Sequence, residues 1–148
     1  MIIPDPILFV HALTTVVLAG LIWTIQVVHY PLFLRIPPDS FVPYESEHMR
    51  RITWLVGSLM LIEAASALLL IIREPASMPV WIGAILLGVI WASTGLVQGP
   101  LHAKLARDGY DPRRIRFLVR SNWLRTAAWT ARAFLVLILL GAEHGRAV

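Results

Sequence analysis

Two short segments of the sequence carry side chains that could bind a metal ion or transfer protons. His29 lies near the end of a long apolar stretch, and Glu45 and His48 follow a proline-rich segment. Glu45 and His48 are three positions apart, so on a helix they point to the same side. Imidazole nitrogens and carboxylate oxygens together are typical ligands of divalent transition metals. A third imidazole, His102, is expected to reach the same place once the helices are positioned.

The composition is typical of a membrane protein. Of the 148 residues, 57% are hydrophobic and only 15% are charged, whereas a soluble domain carries about 25% charged residues. The chain contains no cysteine, which excludes disulfides, thiolate metal sites and cysteine nucleophiles. The net charge of +4 is interpreted as basic loops that orient the chain in a lipid bilayer, and no nucleic-acid partner is expected.

Four apolar stretches, at roughly residues 7–34, 46–72, 79–102 and 117–140, predict four transmembrane helices. Each stretch is long enough to cross the hydrocarbon core, which takes about 20 apolar residues. Short connections predict an all-α, up-down-up-down four-helix bundle that forms a single domain without internal repeats. Residues 35–43 contain three prolines and are expected to form a loop. Pro31 is expected to kink the end of the first helix.

Basic residues are distributed unevenly between the two ends of this predicted bundle. Most of them lie at the end that carries the histidines, and only Arg73 and Arg146 are assigned to the other end. The positive-inside rule therefore predicts a multi-pass protein of a bacterial-type inner (plasma) membrane with both termini outside. It also places the histidines near the cytoplasmic face.

Each predicted helix brings polar side chains to this same level. Because polar groups that face lipid cost several kcal/mol each, they are expected to point into the bundle. His11 and His29 are 18 residues apart, almost five helical turns, and are therefore expected to share one interior face. The first three helices are predicted to supply a set of metal ligands, which are His29, Glu45, His48 and His102.

Further polar residues are expected beside these ligands. Asn122 and Arg125 at the start of the fourth helix, together with Arg51, could form a second shell or an anion clamp next to the metal. Tyr30, directly after His29, is a further candidate catalytic residue. Alternatively, the two arginines simply extend to the lipid headgroups.

Glu63 and Arg132 are the ionisable residues deepest in the apolar parts of the second and fourth helices. A buried ion pair is the favoured interpretation, and a proton or substrate path is the alternative. Gln98 lies between Thr94 and His102 at steps of four residues, on one face of the third helix. Gln98, Glu63 and Arg132 are therefore candidate cofactor-binding residues.

Three functions remain open from the residues alone. The first is a metal-dependent oxidoreductase or oxygenase that acts on a lipophilic substrate, in which iron or copper would favour oxidation and zinc would favour Lewis-acid chemistry. The second is a haem b protein in which two of the histidines hold the haem and which exchanges electrons with quinone. The third is a non-catalytic assembly or permeation subunit, for which a homodimer through the small residues of 64–67 and 83–88 is expected.

Two stretches carry a resemblance to known families. Thr94, the segment 99–105 (Gly-Pro-Leu-His-Ala-Lys-Leu) and the segment 122–126 (Asn-Trp-Leu-Arg-Thr) resemble the anthrone-oxygenase-like family of four-span membrane proteins. That family more often has Asn at the position of His102. The resemblance implies oxidation of a flat, polycyclic or quinol-like substrate. The segments 28–33 and 44–51 are also similar to an uncharacterised bacterial four-span family, which implies no activity.

Overall fold

Four long helices make up the computed structural model, which describes residues 5–146 and side chains as far as Glu143. The predicted position of the Arg146 side chain therefore lies outside the described residues. The helices are α1 (Pro6–Arg35), α2 (Pro38–Arg73), α3 (Met78–Asp108) and α4 (Pro112–Arg146). All four are long and apolar enough to cross a membrane. The predicted all-α, four-helix membrane bundle is thereby confirmed.

The helices are arranged in a ring in which α1 and α3 each pack against both α2 and α4. Asp5 marks the terminal end of the bundle, where its backbone N–H donates to Glu143 at 2.9 Å and its carboxylate pairs with Arg73 at 2.7 Å. The short connections before α2 and before α4 lie at the opposite end, which we call the loop end. The chain therefore runs up-down-up-down, as predicted.

Helix α2 begins at Pro38, inside the segment that was expected to be a loop. Proline suits the first position of a helix, because its missing N–H has no partner there and its φ is already helical. Asp39 in the first turn is stabilised by the partial positive charge of the helix N-terminus. Pro43 removes only one hydrogen bond near the start of the helix. The loop prediction was therefore wrong, and α2 extends well beyond its apolar part.

Both odd-numbered helices contain a wider, π-helical turn. It spans Ile25–His29 in α1 and Thr94–Gln98 in α3. Each ends two residues before a proline, Pro31 or Pro100, whose missing N–H already interrupts the hydrogen-bond ladder. The interruption that was predicted at Pro31 includes a π turn, which inserts one residue. Side chains beyond it are rotated by about 100° relative to a continuous α-helix.

The two π turns belong to a repeat with a period of 69 residues, the separation of Glu63 and Arg132. The same separation joins identical residues in the two halves of the chain, among them Pro31 and Pro100, Asp39 and Asp108, Pro43 and Pro112, and Trp54 and Trp123. Since both halves begin at the terminal end, α1–α2 and α3–α4 are equivalent hairpins related by rotation about an axis parallel to the helices. The expectation of no internal repeat was wrong.

Some of the small residues that were predicted to form a homodimer interface pack inside the bundle. Ser66 and Ala67 are buried, and Ser66 bonds to His11 at 2.9 Å. The Gly83 carbonyl accepts a hydrogen bond from Arg132. Ser66 and Ala67 are thus used inside the bundle, whereas Ala65 and Gly88 stay exposed, and the homodimer stays a prediction.

Candidate functional site

Side chains from α1, α2 and α3 meet at the loop end in what we call the histidine cluster, formed by Tyr30, His29, Glu45, His48 and His102. His29 Nε2 lies 3.0 Å from His48 Nδ1, and His102 Nδ1 lies 2.5 Å from Glu45 Oε1. The Tyr30 hydroxyl lies 2.8 Å from His102 Nε2. The rings of His48 and His102 are 5.4 Å apart, centre to centre. The structure therefore brings the four predicted metal ligands together.

The extended start of α2 delivers Glu45 and His48 to this cluster. Both side chains lie within its first turns and are buried. Phe33 and Phe41, both fully buried, form the floor, and the Phe33 ring lies 5.3 Å from the His48 ring. Because these aromatic rings exclude water, the electrostatic interactions within the cluster are stronger than they would be in solvent.

The π turn in α1 separates two neighbouring residues onto different surfaces. Tyr30 is buried and faces the bundle interior, whereas His29 is half-buried and lines the outer surface. His11 and His29 are 18 residues apart and were expected to share one interior face. The extra residue of the π turn rotates His29 away from that face, and this part of the prediction was wrong.

Hydrogen-bond directions within the cluster follow from the acceptor-only chemistry of a carboxylate. With Glu45 as a carboxylate, His102 Nδ1–H donates to it, and in the neutral imidazole His102 Nε2 then accepts from the Tyr30 hydroxyl. The opposite carboxylate oxygen, Glu45 Oε2, and the outer nitrogen, His48 Nε2, are buried and have no hydrogen-bond partner. A buried polar atom without a partner costs about 1–3 kcal/mol. These two atoms are therefore available to a ligand.

The imidazoles are hydrogen-bonded in pairs and do not surround a shared centre. Among the described side chains, from Asp5 to Glu143, no group of three or more His, Asp or Glu residues is arranged to hold a metal ion. Direct contact between the His29 and His48 rings, 4.7 Å apart, leaves no space for a porphyrin between them. Metal and haem binding therefore stay predictions.

Asn122 and Arg125 lie on the inner face of α4, as predicted, but Asn122 bonds to Gln26 and not to the histidines. Its Nδ2 donates to Gln26 Oε1 at 2.9 Å, and Arg125 Nη1 donates to Asn122 Oδ1 at 3.2 Å. The Arg125 guanidinium lies 5.3 Å from the Trp129 ring centre. Gln26 was missing from the predicted site, although an amide within an apolar run is itself a signal of an interior partner.

Arg51 is not part of the histidine cluster. Its side chain is 75% exposed and pairs with Glu47 at 2.5 Å, one turn earlier on α2. Arg51 lies on the outward face of the helix, where it lines the outer groove together with His29 and His48, and its role as an anion clamp stays a prediction.

A cavity of about 150 Å³ lies between the four helices, directly beside the cluster. Tyr30, His102, Gln98, Arg125 and Trp129 supply most of its polar and aromatic wall, and the other lining residues are mainly aliphatic. Gln98 donates to Ser121 at 3.0 Å, but its Oε1 has no partner. The site therefore combines an apolar chamber with a few convergent polar groups, as ligand sites commonly do.

A wider groove, of about 750 Å³, lies on the outer surface between α1 and α2. His29 and His48 line it together with Tyr44 and the Glu47–Arg51 pair. Since Tyr30 and His102 face the inner cavity, the cluster forms the partition between the cavity and the groove.

Glu63 and Arg132 form the predicted buried ion pair nearer the terminal end. Glu63 Oε1 lies 3.1 Å from Arg132 Nη2 and accepts from the Thr15 hydroxyl at 2.9 Å. Glu63 Oε2 accepts from Trp129 Nε1 at 3.3 Å, and Arg132 Nη2 lies 3.4 Å from His11 Nε2. We call this set the Glu63–Arg132 network. Both carboxylate oxygens have partners, as expected of a group that stabilises the fold.

Comparison with protein-family models, with curated proteins and with solved structures found no match. The resemblance to anthrone-oxygenase-like proteins therefore stays a prediction, and the proposals below are based on the geometry.

Proposed function

We propose that this protein is a membrane-embedded, metal-dependent oxidoreductase that acts on a lipophilic substrate at the loop end of the bundle. The observation that carries the proposal is the pair of buried, unpartnered ligand atoms, Glu45 Oε2 and His48 Nε2, beside two further imidazoles. Both atoms are of the kind that binds divalent transition metals. An apolar cavity adjoins them, which suits a substrate that enters from lipid.

The side chains of the histidine cluster have the chemistry of metal ligands, because imidazole nitrogens and carboxylate oxygens both bind divalent transition metals. Glu45 Oε2 and His48 Nε2 would provide the first ligands, and His29 would complete the set by giving up its present hydrogen bond to His48. His102 would keep its hydrogen bonds to Tyr30 and Glu45. Because ligands must be deprotonated, metal uptake would release protons and weaken as the pH falls. Iron or copper, when bound, would supply oxidation chemistry at this position.

Two consecutive hydrogen bonds lead from the cavity wall into the protein. They join Tyr30 to His102 and His102 to Glu45. A proton from a substrate hydroxyl could pass to Tyr30 as the Tyr30 proton moves to His102 Nε2, with Glu45 stabilising the imidazolium that forms. Glu45 does this best as a carboxylate hidden behind His102. Oxidation of the substrate also requires an electron acceptor, and dioxygen or a quinone, both soluble in the bilayer, would serve.

The same uneven distribution of basic residues supports an orientation in a bacterial-type inner membrane with the loop end at the cytoplasmic face. Since the chain has no cysteine, single substitutions can report it. A membrane-impermeant maleimide added to intact cells should label Glu74→Cys, at the terminal end, and not Arg113→Cys, at the loop end. Both positions are exposed. The reverse labelling pattern would invert the orientation.

Metal content tests the proposed function. Elemental analysis of the purified protein should find a stoichiometric transition metal in the wild type and in His11→Ala, and little in His48→Ala. His11 is a matched control, because it is also a buried histidine but has partners in Ser66 and Arg132. Wild-type protein without stoichiometric metal would contradict the proposal. A haem absorption band in the same sample would replace it with the haem b alternative.

A further inference from the structure

Arg125 is a buried cation without an acidic partner. Its side chain is only 5% exposed, and its Nε has no hydrogen-bond partner. Among the described side chains, the buried carboxylates are engaged elsewhere, since Glu63 pairs with Arg132 and Glu45 pairs with His102. A guanidinium in this setting retains donors that an anion could use.

Burying an ion costs several kcal/mol unless nearby groups compensate it. Asn122 accepts one hydrogen bond from Arg125, and the Trp129 ring lies within cation–π distance at 5.3 Å. The Tyr30 hydroxyl is a third neighbour of the guanidinium. None of these three groups is a carboxylate, so together they stabilise the guanidinium only in part. The planar guanidinium is well suited to bind oxyanions such as carboxylates. The remaining donors of Arg125 therefore point to an anionic ligand in the cavity that it lines.

The 69-residue repeat shows that this cavity lies between the two hairpins and that its two walls differ. Val56 of the first hairpin occupies the position of Arg125 in the second, and Met60 occupies the position of Trp129. All four residues line the cavity. One wall is therefore cationic and aromatic, and the equivalent wall is aliphatic, which is the pattern that an amphiphilic ligand requires.

Cavity size limits the part of the ligand that is enclosed. An apolar cavity of about 150 Å³ is large enough for a single benzene-like ring. Thr53 lines the cavity and is also exposed on the outer face of α2, so the cavity reaches the surface that faces lipid. An alkyl chain attached to the ring could leave through this opening.

We propose that the cavity binds a lipophilic oxyanion, a carboxylate or phenolate on a single ring with an alkyl tail, and that Arg125 holds the oxyanion. If the proposed oxidoreductase function is correct, this is the chemical class of its substrate. Glu45 would not repel such a ligand directly, because it lies behind His102 and is not part of the cavity wall.

Binding of three small probes to the purified protein in detergent tests this proposal. The probes are 4-hexylbenzoate, 4-hexylphenol and the uncharged methyl ester of 4-hexylbenzoate, each titrated by quenching of tryptophan fluorescence. We expect one of the two acidic probes to bind about tenfold more tightly than the ester, the ratio that one charge-assisted hydrogen bond would give. A tighter benzoate identifies carboxylates as the ligand class. A phenol that binds more tightly than the ester, and whose affinity rises as the pH approaches its pKa of about 10, identifies phenolates.

Two variants distinguish the contribution of the Arg125 charge from that of the cavity volume. Arg125→Gln should remove the preference for the acidic probe. Gly57→Leu should abolish binding of all three probes, because a Cβ on Gly57 would meet only Thr53 Cγ2, at 4.0 Å, and a larger side chain would extend into the cavity. Gly88→Leu, on the exposed face of α3, is the matched control and should bind like the wild type.

Equal affinity for the acidic probes and the ester would overturn the proposal, as would unchanged binding by Gly57→Leu. The metal content of the same samples keeps this outcome distinct from the proposed function. Protein that binds the acidic probe but contains no metal contradicts only the oxidoreductase, and metal-loaded protein without a preference for acidic probes contradicts only this ligand.

Discussion

The Glu63–Arg132 network and the histidine cluster are both buried groups of ionisable side chains, but they differ in how completely their atoms are paired. Both oxygens of Glu63 have partners, on Thr15, Arg132 and Trp129. In the histidine cluster, Glu45 Oε2 and His48 Nε2 have none. A buried polar atom without a protein partner reduces stability, and a bound ligand, ion or water that pairs with it removes this cost.

This difference indicates different roles for the two groups. The closed network joins equivalent positions of the two hairpins, since Glu63 and Arg132 are separated by the 69-residue repeat. It therefore acts as a link between the halves of the bundle. The open cluster is not symmetric, because the position of His48 is taken by Phe117 in the second hairpin and the position of His102 by Phe33 in the first. At these two positions, one half of the chain therefore has a histidine of the cluster and the other half has a phenylalanine.

The largest effect is expected from opening the closed network. Arg132→Met would leave Glu63 buried without its cationic partner, and loss of one member of a buried pair costs about 3–5 kcal/mol. The free energy of unfolding in detergent, measured by chemical denaturation, should fall by this amount. A loss below about 1 kcal/mol would show that the pair does not stabilise the bundle and would remove the contrast between the two groups.

A much smaller effect on stability is expected from His48→Phe, which places the residue of the equivalent position into the cluster. The substitution removes an unpartnered buried nitrogen, which should offset the loss of the hydrogen bond to His29. The free energy of unfolding should stay within about 1 kcal/mol of the wild type. A loss as large as that of Arg132→Met would mean that His48 holds the fold together and that the cluster is structural.

The sequence predicted the features that depend on hydrophobic length and on the cost of placing charge in lipid. These features are the four helices, the Glu63–Arg132 pair and the meeting of the three imidazoles with Glu45. They could be predicted because a polar group inside a membrane-spanning helix faces the bundle interior, where it pairs with other polar groups. No comparable constraint acts on Arg51, which is exposed and pairs with Glu47, so the sequence left open whether it would face the cluster or the lipid headgroups.

The remaining errors have a common cause in local backbone geometry. Pro38 was assigned to a loop because prolines usually mark loops, although proline also begins helices. The π turn before Pro31 could not be seen from an ideal helical period, and it rotated His29 away from His11. The repeat is marked by few identical residues, and its clearest sign is the π turn at the same position of both halves, which only the structure shows.

The comparison between the two groups is tested most directly by one pair of isosteric substitutions, Glu45→Gln and Glu63→Gln. For each variant, metal content and the free energy of unfolding are measured on the same purified sample. We predict that Glu45→Gln loses its metal with little change in stability, and that Glu63→Gln is clearly less stable but keeps the metal content of the wild type. Variants that lose the same quantity, or a Glu45→Gln protein that keeps its metal, would contradict the assignment of function to the histidine cluster.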